Sequence, residues 1–160
     1  MNAEDPVKTL LEKAEKAGVC MLTTAAPDGR IVSRPMAIQE IEDDHSIWFI
    51  TRVTTPKVEE VAEGRPVNVT VAEKGFWASI TGTATVMHDV ERKKRYWSKI
   101  TEAFFGESQP EDSDIVLLKV DPDTGEYWDS PGLPATVVEV VKGMISDEPA
   151  RPGESNTVEL

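Results

Sequence analysis

The sequence predicts a mostly β fold, an antiparallel barrel with helices packed on its outside. Three observations carry that expectation. Runs of β-branched and aromatic residues recur along the chain. Most are joined by short turn signals such as "PDGR", "EDDH" and "EKG". Only short helical stretches come between them, which favours hairpin pairing over parallel crossovers.

Taken in order, the first element is a helix. Pro6 starts it, Val7, Leu10, Leu11 and Ala14 share one face, and Gly18 stops it. "VCMLTTA" follows as a strand, then the "PDGR" turn and a long strand "IVSRPMAIQEI". Pro35 inside that strand cannot donate to a ladder, so it marks an edge, a bulge, or a place where something other than a strand lies alongside. "EDDH" turns the chain into the strand "SIWFIT". A short helix comes next, with Thr55 as N-cap candidate, Pro56 at its first position and Gly64 as its stop. Val58, Val61 and Ala62 are its apolar face. Strands "VNVTVA" and "FWASITGTATVMH" flank "EKG", and Gly82 in "TGTA" is expected at a bulge or barrel bend. A long helix over 89–105 is expected to bury Val90, Trp97, Ile100 and Phe104 and to leave "ERKKR" solvated. After the loop "SQPEDSD", "IVLLKVDP" and "GEYWD" are two further strands. In "TVVEVVKGMI" valine favours a strand, but the 137, 140, 141, 144 spacing tips the expectation to a terminal helix. A single domain over 1–145, helical at both ends, is thus expected to precede a polar tail over 146–160, partly disordered or draped over the surface.

A chain of 160 residues is long enough for a real core without staples. The net charge of −12 argues against general nucleic-acid or anionic-membrane binding, which needs a basic field. No apolar run approaches the roughly 18–20 residues that span a bilayer. The charged start "MNAEDPVKTLLEKAEKAG" has no apolar signal core, so a cytoplasmic protein is expected. The lone Cys20 excludes an internal disulfide, and its apolar neighbours make it a buried, inert thiol. His45 and His88 have no partner at metal-ligand spacing, so no metal is assigned. There is no G-x-S-x-G, Walker or G-x-G-x-x-G motif, and Asp43–Asp44 sits in a solvated turn. No catalytic residue is assigned on these grounds.

One placement stands out. Lys57 lies in the first turn of its short helix, at the positive end of the dipole, where a cation is unfavourable by roughly 0.3–1 kcal/mol. An anion docked there would reverse that cost, because free amides and a positive dipole end form a ready anion site. The alternative is that Lys57 points into solvent, balanced by Glu59 and Glu60. Arg34, Arg52 and Arg65 are the other cations of this stretch.

The order and spacing of "DGRIVSRPMAI", "SIWFITRVTTPKVEEV", "VNVTVAEKGFWASITGTATV", the "RYW" helix and "IVLLKVDPDTGEYWD" resemble the pyridoxamine-phosphate oxidase-like flavoproteins, in particular their general stress protein branch. The resemblance implies a six-stranded antiparallel split β-barrel, a homodimer, and FMN held at the dimer interface. It implies that Thr54, Thr55 and Lys57 face the flavin phosphate, with Arg34 approaching from the neighbouring strand. Arg34, Pro35 and Met36 would contact ring and ribityl chain, and Ile50 and Thr51 the ring and its polar edge. Pro35 has an alternative role, blocking aggregation at an edge strand. Trp77 and Trp128 are the aromatic candidates, Trp128 against the ring's dimethylbenzene edge across the dimer, whereas Trp48 and Trp97 are expected in the core. The oxidase branch carries a second basic residue before the phosphate-binding lysine. Here that position is Pro56, which sets this chain apart from the true oxidases.

The function implied is an FMN-dependent oxidoreductase that passes electrons from a reduced nicotinamide or a small substrate. The alternatives are a non-catalytic flavin-binding stress-response module, a split barrel that binds a deazaflavin or a tetrapyrrole, and a cofactor-free dimerising barrel.

Overall fold

Asp5 and Gly18 bracket the first helix as their chemistry dictates. In the computed structural model, which describes residues 5–130 and 154–160, helix α1 (Pro6–Ala17) starts with the Val7 N–H donating to Asp5 Oδ1 at 3.0 Å. It ends at Gly18 in the left-handed region, φ 73°. Leu10, Leu11 and Ala14 are buried. The chain continues through β1 (Val19–Ala25), β2 (Ile31–Ala37), β3 (Glu40–Ile41), β4 (Ile47–Arg52), α2 (Pro56–Ala62), β5 (Pro66–Glu73) and β6 (Phe76–Met87). Helices α3 (Val90–Tyr96) and α4 (Lys99–Phe105) precede β7 (Ile115–Asp129), and β8 (Glu154–Glu159) is the last element.

The strands form one antiparallel sheet in the order β2-β1-β5-β6-β7-β4-β3, with β8 added on β7. Its two ends, β2 and β3, are consecutive in the chain. Between them the Ile38 N–H donates to the Gly18 carbonyl at 2.8 Å and the Gln39 N–H to the Trp48 carbonyl at 2.9 Å. One bent strand therefore pairs first with β1 and then with β4, and the sheet closes on itself. The six expected barrel strands are present, one of them divided at this bend. The strand count is higher because β8 is an addition.

β8 corrects the expectation of a draped tail. It pairs with the second half of β7, from Thr124↔Glu159 to Asp129↔Glu154, on the edge that β4 occupies along the first half. Val158 and Leu160 pack against the core. The terminal helix expected at 137–144 lies outside the described residues. β7 itself is one strand where two were expected. A register shift at Thr81/Gly82 absorbs the interruption, as expected of Gly82. A Cβ on Gly82 would press on the Asp121 carbonyl oxygen and lie 2.9 Å from Pro122 Cα, so only glycine fits.

β4 is buried along both faces. Phe49 belongs to the barrel core with Leu10, Leu22, Val69, Ile80 and Leu118, while Trp48 and Ile50 join an outer cluster with Phe105, Ile115 and Leu117. The uninterrupted apolar run "IWFI" has this cause: barrel interior on one side, helices on the other.

The helix expected over 89–105 is two helices. Asp89 caps α3, its Oδ1 accepting from the Arg92 N–H at 3.0 Å. Ser98 caps α4, its Oγ accepting from the Thr101 N–H at 3.3 Å. The break at Trp97–Ser98 turns α4, so Thr101 and Phe105 are buried while Ile100 and Phe104 are 72 % and 79 % exposed. The expected buried stripe is corrected accordingly, and Val90 is exposed too. Trp97 is half-buried and stacks on Phe105 at 5.5 Å between centroids. "ERKKR" is not wholly solvated either. Lys93 is buried, donating to the carbonyls of Asp112 at 3.1 Å and Ile115 at 2.9 Å. Arg92 pairs with Glu40 and Glu42 at 2.9 Å each and lies 3.9 Å from the Trp48 ring centroid.

Two outcomes are expected. Gly82→Ala forces the bulge apart and lowers stability by about 1–3 kcal/mol in urea unfolding; an unchanged midpoint would contradict the close approach. Burial pushes the Cys20 thiol up to about 12, leaving it protonated at neutral and mildly alkaline pH. A thiol reagent at pH 8 should therefore label it only after denaturant is added.

Candidate functional site

The bent strand that closes the barrel also leaves it open higher up. β3 pairs with β4 only through Glu40↔Trp48 and Ile41↔Ile47. Above that point β4 has β7 on one side, and β2 has β1 on one side. The two facing edges diverge. Between them lies a cleft of about 330 Å³, walled by Pro35, Met36 and Ala37 of β2, by Ile50, Thr51 and Arg52 of β4, by Gln39 and Thr55, and from outside by Ile100, Thr101, Phe104 and Phe105 of α4. Pro35 suits this edge, since an unpartnered backbone loses nothing by lacking an N–H.

Thr55 occupies the expected N-cap position before Pro56, but its side chain makes no capping hydrogen bond. Its hydroxyl donates back to the Arg52 carbonyl at 2.8 Å, and among the described residues no side-chain cap accepts from the first amides of the helix. Lys57 follows, half-buried and without a hydrogen bond or ion pair among the described residues. Its ammonium is held below the usual lysine range, first by burial and then by the positive Arg34, with Glu60 opposing the shift. Arg34 reaches the same corner from β2. Its Nη1 donates to Thr24 Oγ1 at 2.5 Å and its Nη2 to Glu60 Oε2 at 3.3 Å.

The other cations of this stretch have partners. Arg52 donates to Asp114 at 2.8 Å, to Ser108 at 3.1 Å and to the Phe105 carbonyl at 2.6 Å, which ties the end of α4 to β4. Arg65 donates to the Ala26 carbonyl at 2.6 Å and pairs with Glu63 at 2.8 Å. Glu60 differs from the solvated balancing charge considered above. It is 6 % exposed and belongs to Arg34 and Thr24, while Glu59 is exposed.

Five of the candidate residues, Pro35, Met36, Ile50, Thr51 and Thr55, therefore line a common cleft. Arg34 and Lys57 form the adjoining charged corner, with Thr54 exposed in the turn before α2. Trp77 and Trp128 do not line the cleft. They face each other across β6 and β7, 47 % and 40 % exposed. The pairing registers put them on the same outward face as Val19, Met21 and Ile31, which are exposed as well. Trp48 is buried as expected, its Nε1 donating to Glu42 at 2.6 Å. Neither Gln39 nor the α4 wall was signalled by the residue pattern. The i, i+4 apolar pair Ile100 and Phe104 was a visible signal, but a core stripe and a cleft wall have the same spacing.

Among the described residues no three His, Cys, Asp or Glu side chains gather as a metal site. Nor is any described helix long and apolar enough to cross a membrane.

Known proteins resemble this chain in sequence and fold. Residues 5–150 match the model of the family described as pyridoxamine 5'-phosphate oxidase like. The structure of a general stress protein 26 from Jannaschia sp. CCS1 is similar at TM-score 0.77 and 30 % identity, over 99 % of this chain and 100 % of that one. That of the general stress FMN/FAD binding protein from Xanthomonas citri is similar at TM-score 0.63 and 30 % identity, over 76 % of this chain and 89 % of that one. Protein bli-3 of Neurospora crassa is 26 % identical over 141 residues, 81 % of this chain and 68 % of that protein. A match across nearly the whole barrel, together with the divided strand and its cleft, makes this chain a member of the pyridoxamine 5'-phosphate oxidase-like family of split β-barrels.

Proposed function

We propose that the protein is a cytoplasmic, homodimeric FMN-binding oxidoreductase of the general stress type, taking electrons from a reduced nicotinamide or another small donor. The observation that carries the reading is Lys57, a half-buried cation without a hydrogen bond or ion pair among the described residues, beside a partly apolar cleft. A half-buried ammonium beside a second cation, with Glu60 balancing only one of the two, leaves an excess positive charge that a docked phosphate would meet.

The residues present fit the whole group. Lys57, Arg34 and the Thr54–Thr55 turn would hold the phosphate. Pro35, Met36 and Ile50 offer an apolar slot for a planar ring, and Thr51 and Gln39 give polar groups for its edge. A bound flavin supplies the redox chemistry, and the protein supplies position and electrostatics. The cleft's polar side chains, Gln39, Thr51, Thr55 and Thr101, are uncharged, and Arg52 is engaged by Asp114. Chemistry there rests on holding the ring rather than on a protein acid or base. That same feature favours a second reading, a flavin carrier or sensor without turnover. Oxidation of reduced nicotinamide no faster than by free FMN would select it.

The dimer reading is supported by the outward apolar face of Val19, Met21, Ile31, Trp77 and Trp128. A second copy covering that face would bring the tryptophans towards the other subunit's cofactor.

In titrations of the apo-protein, Lys57→Ala should weaken FMN binding by about 1.5–3 kcal/mol, the worth of a charge-assisted contact. Riboflavin, which lacks the phosphate, should bind both proteins alike. Equal FMN affinities would remove Lys57 from the site. In sedimentation, the wild type should run as a dimer and the Trp77→Glu, Trp128→Glu double variant as a monomer.

A further inference from the structure

Glu60 is the buried charge that the cleft itself does not use. It sits at 6 % exposure on a short helix whose neighbouring Glu59 is solvated. A buried carboxylate is costly unless paired and hydrogen-bonded, and its pairing is specific. The Oε2 atom accepts from the Thr24 hydroxyl and from Arg34 Nη2 at 3.3 Å. Arg34 Nη1 in turn donates to Thr24 Oγ1 at 2.5 Å. Side chains from β1, β2 and α2 thus close a triangle that holds the guanidinium in one orientation. Lys57 stands one helical turn away on the same helix and feels both charges.

We propose that Glu60 is a positioning residue of the anion site, fixing Arg34 beside Lys57 while its own charge holds phosphate affinity below what two cations would give. The inference rests on the phosphate reading of Lys57 and Arg34 and adds a role to a third residue. Two cations and one carboxylate leave the corner with a single positive charge. A phosphate monoester at neutral pH carries close to two negative charges. Glu60 therefore both organises the site and repels its occupant. Without the carboxylate, Arg34 and Lys57 would repel each other across a half-buried corner, and Arg34 would regain rotamer freedom.

Glu60→Gln separates the two effects. An amide oxygen in the place of Oε2 keeps both hydrogen bonds while the charge is removed. In apo-protein titrations FMN should bind this variant about three- to tenfold more tightly than wild type, from relief of one repulsion at short range. Riboflavin affinity should not change. Thr24→Val, which alters no charge, should loosen Arg34 and weaken FMN about two- to fivefold, again sparing riboflavin. The proposal is overturned if Glu60→Gln binds FMN no more tightly than wild type, or tightens FMN and riboflavin alike. It is overturned as well if Thr24→Val leaves FMN affinity intact. A different result, wild type binding riboflavin as tightly as FMN, would dismiss the phosphate corner itself and the role of Glu60 with it.

Discussion

The architecture depends on a change of partners at Ile38 and Gln39. Up to Ala37 the strand pairs with β1; from Gln39 onward it pairs with β4. Two backbone hydrogen bonds, one to Gly18 and one to Trp48, fix the crossover. A continuous sheet would have no opening, and a chain that broke earlier would leave the barrel unclosed. Because the switch is abrupt, the edges of β2 and β4 separate above it, and the cleft is the space they leave. Closure and opening are one event in the backbone.

Around that opening the chain distributes its charges unevenly. Arg52 and Arg65 are occupied in holding α4 and the β1–β2 turn. Arg34 is held by buried oxygens of Thr24 and Glu60. Lys57 alone of these cations remains without a partner among the described residues, in a protein whose net charge is −12. In a protein of that net charge, a local cluster of cations sets the field that a small anion would meet.

Much of the fold was legible because local backbone chemistry decided it. Gly18 ends a helix, Gly82 lies where a bulge brings backbone against backbone, and Pro35 marks an edge. The cleft residues on β2 and β4 followed from motif order. What was not legible depends on tertiary neighbours. Glu59 and Glu60 are identical in type and adjacent, and only the docking of α2 buries one of them. Ser98 reads equally as a mid-helix residue and as a cap, so the turn of α4 and the exposure of Ile100 and Phe104 were hidden. "ESNTVE" has little strand character of its own; the open edge of β7 confers it.

Gly125 offers a last consequence. Its bare Cα leaves room where Leu10 of α1 and Leu160 beyond β8 converge, and α1 packs on β8. Segments from opposite ends of the sequence thus meet over one strand, while β1 must find β5 and β4 must find β7 across long intervening loops of chain. Hairpins such as β1–β2 and β5–β6 can form locally, but the pairings that close the barrel lose loop-closure entropy before they form. Acquiring this structure is accordingly a slow, concerted affair, in the milliseconds-to-seconds regime of non-local β proteins rather than the microseconds of helical bundles.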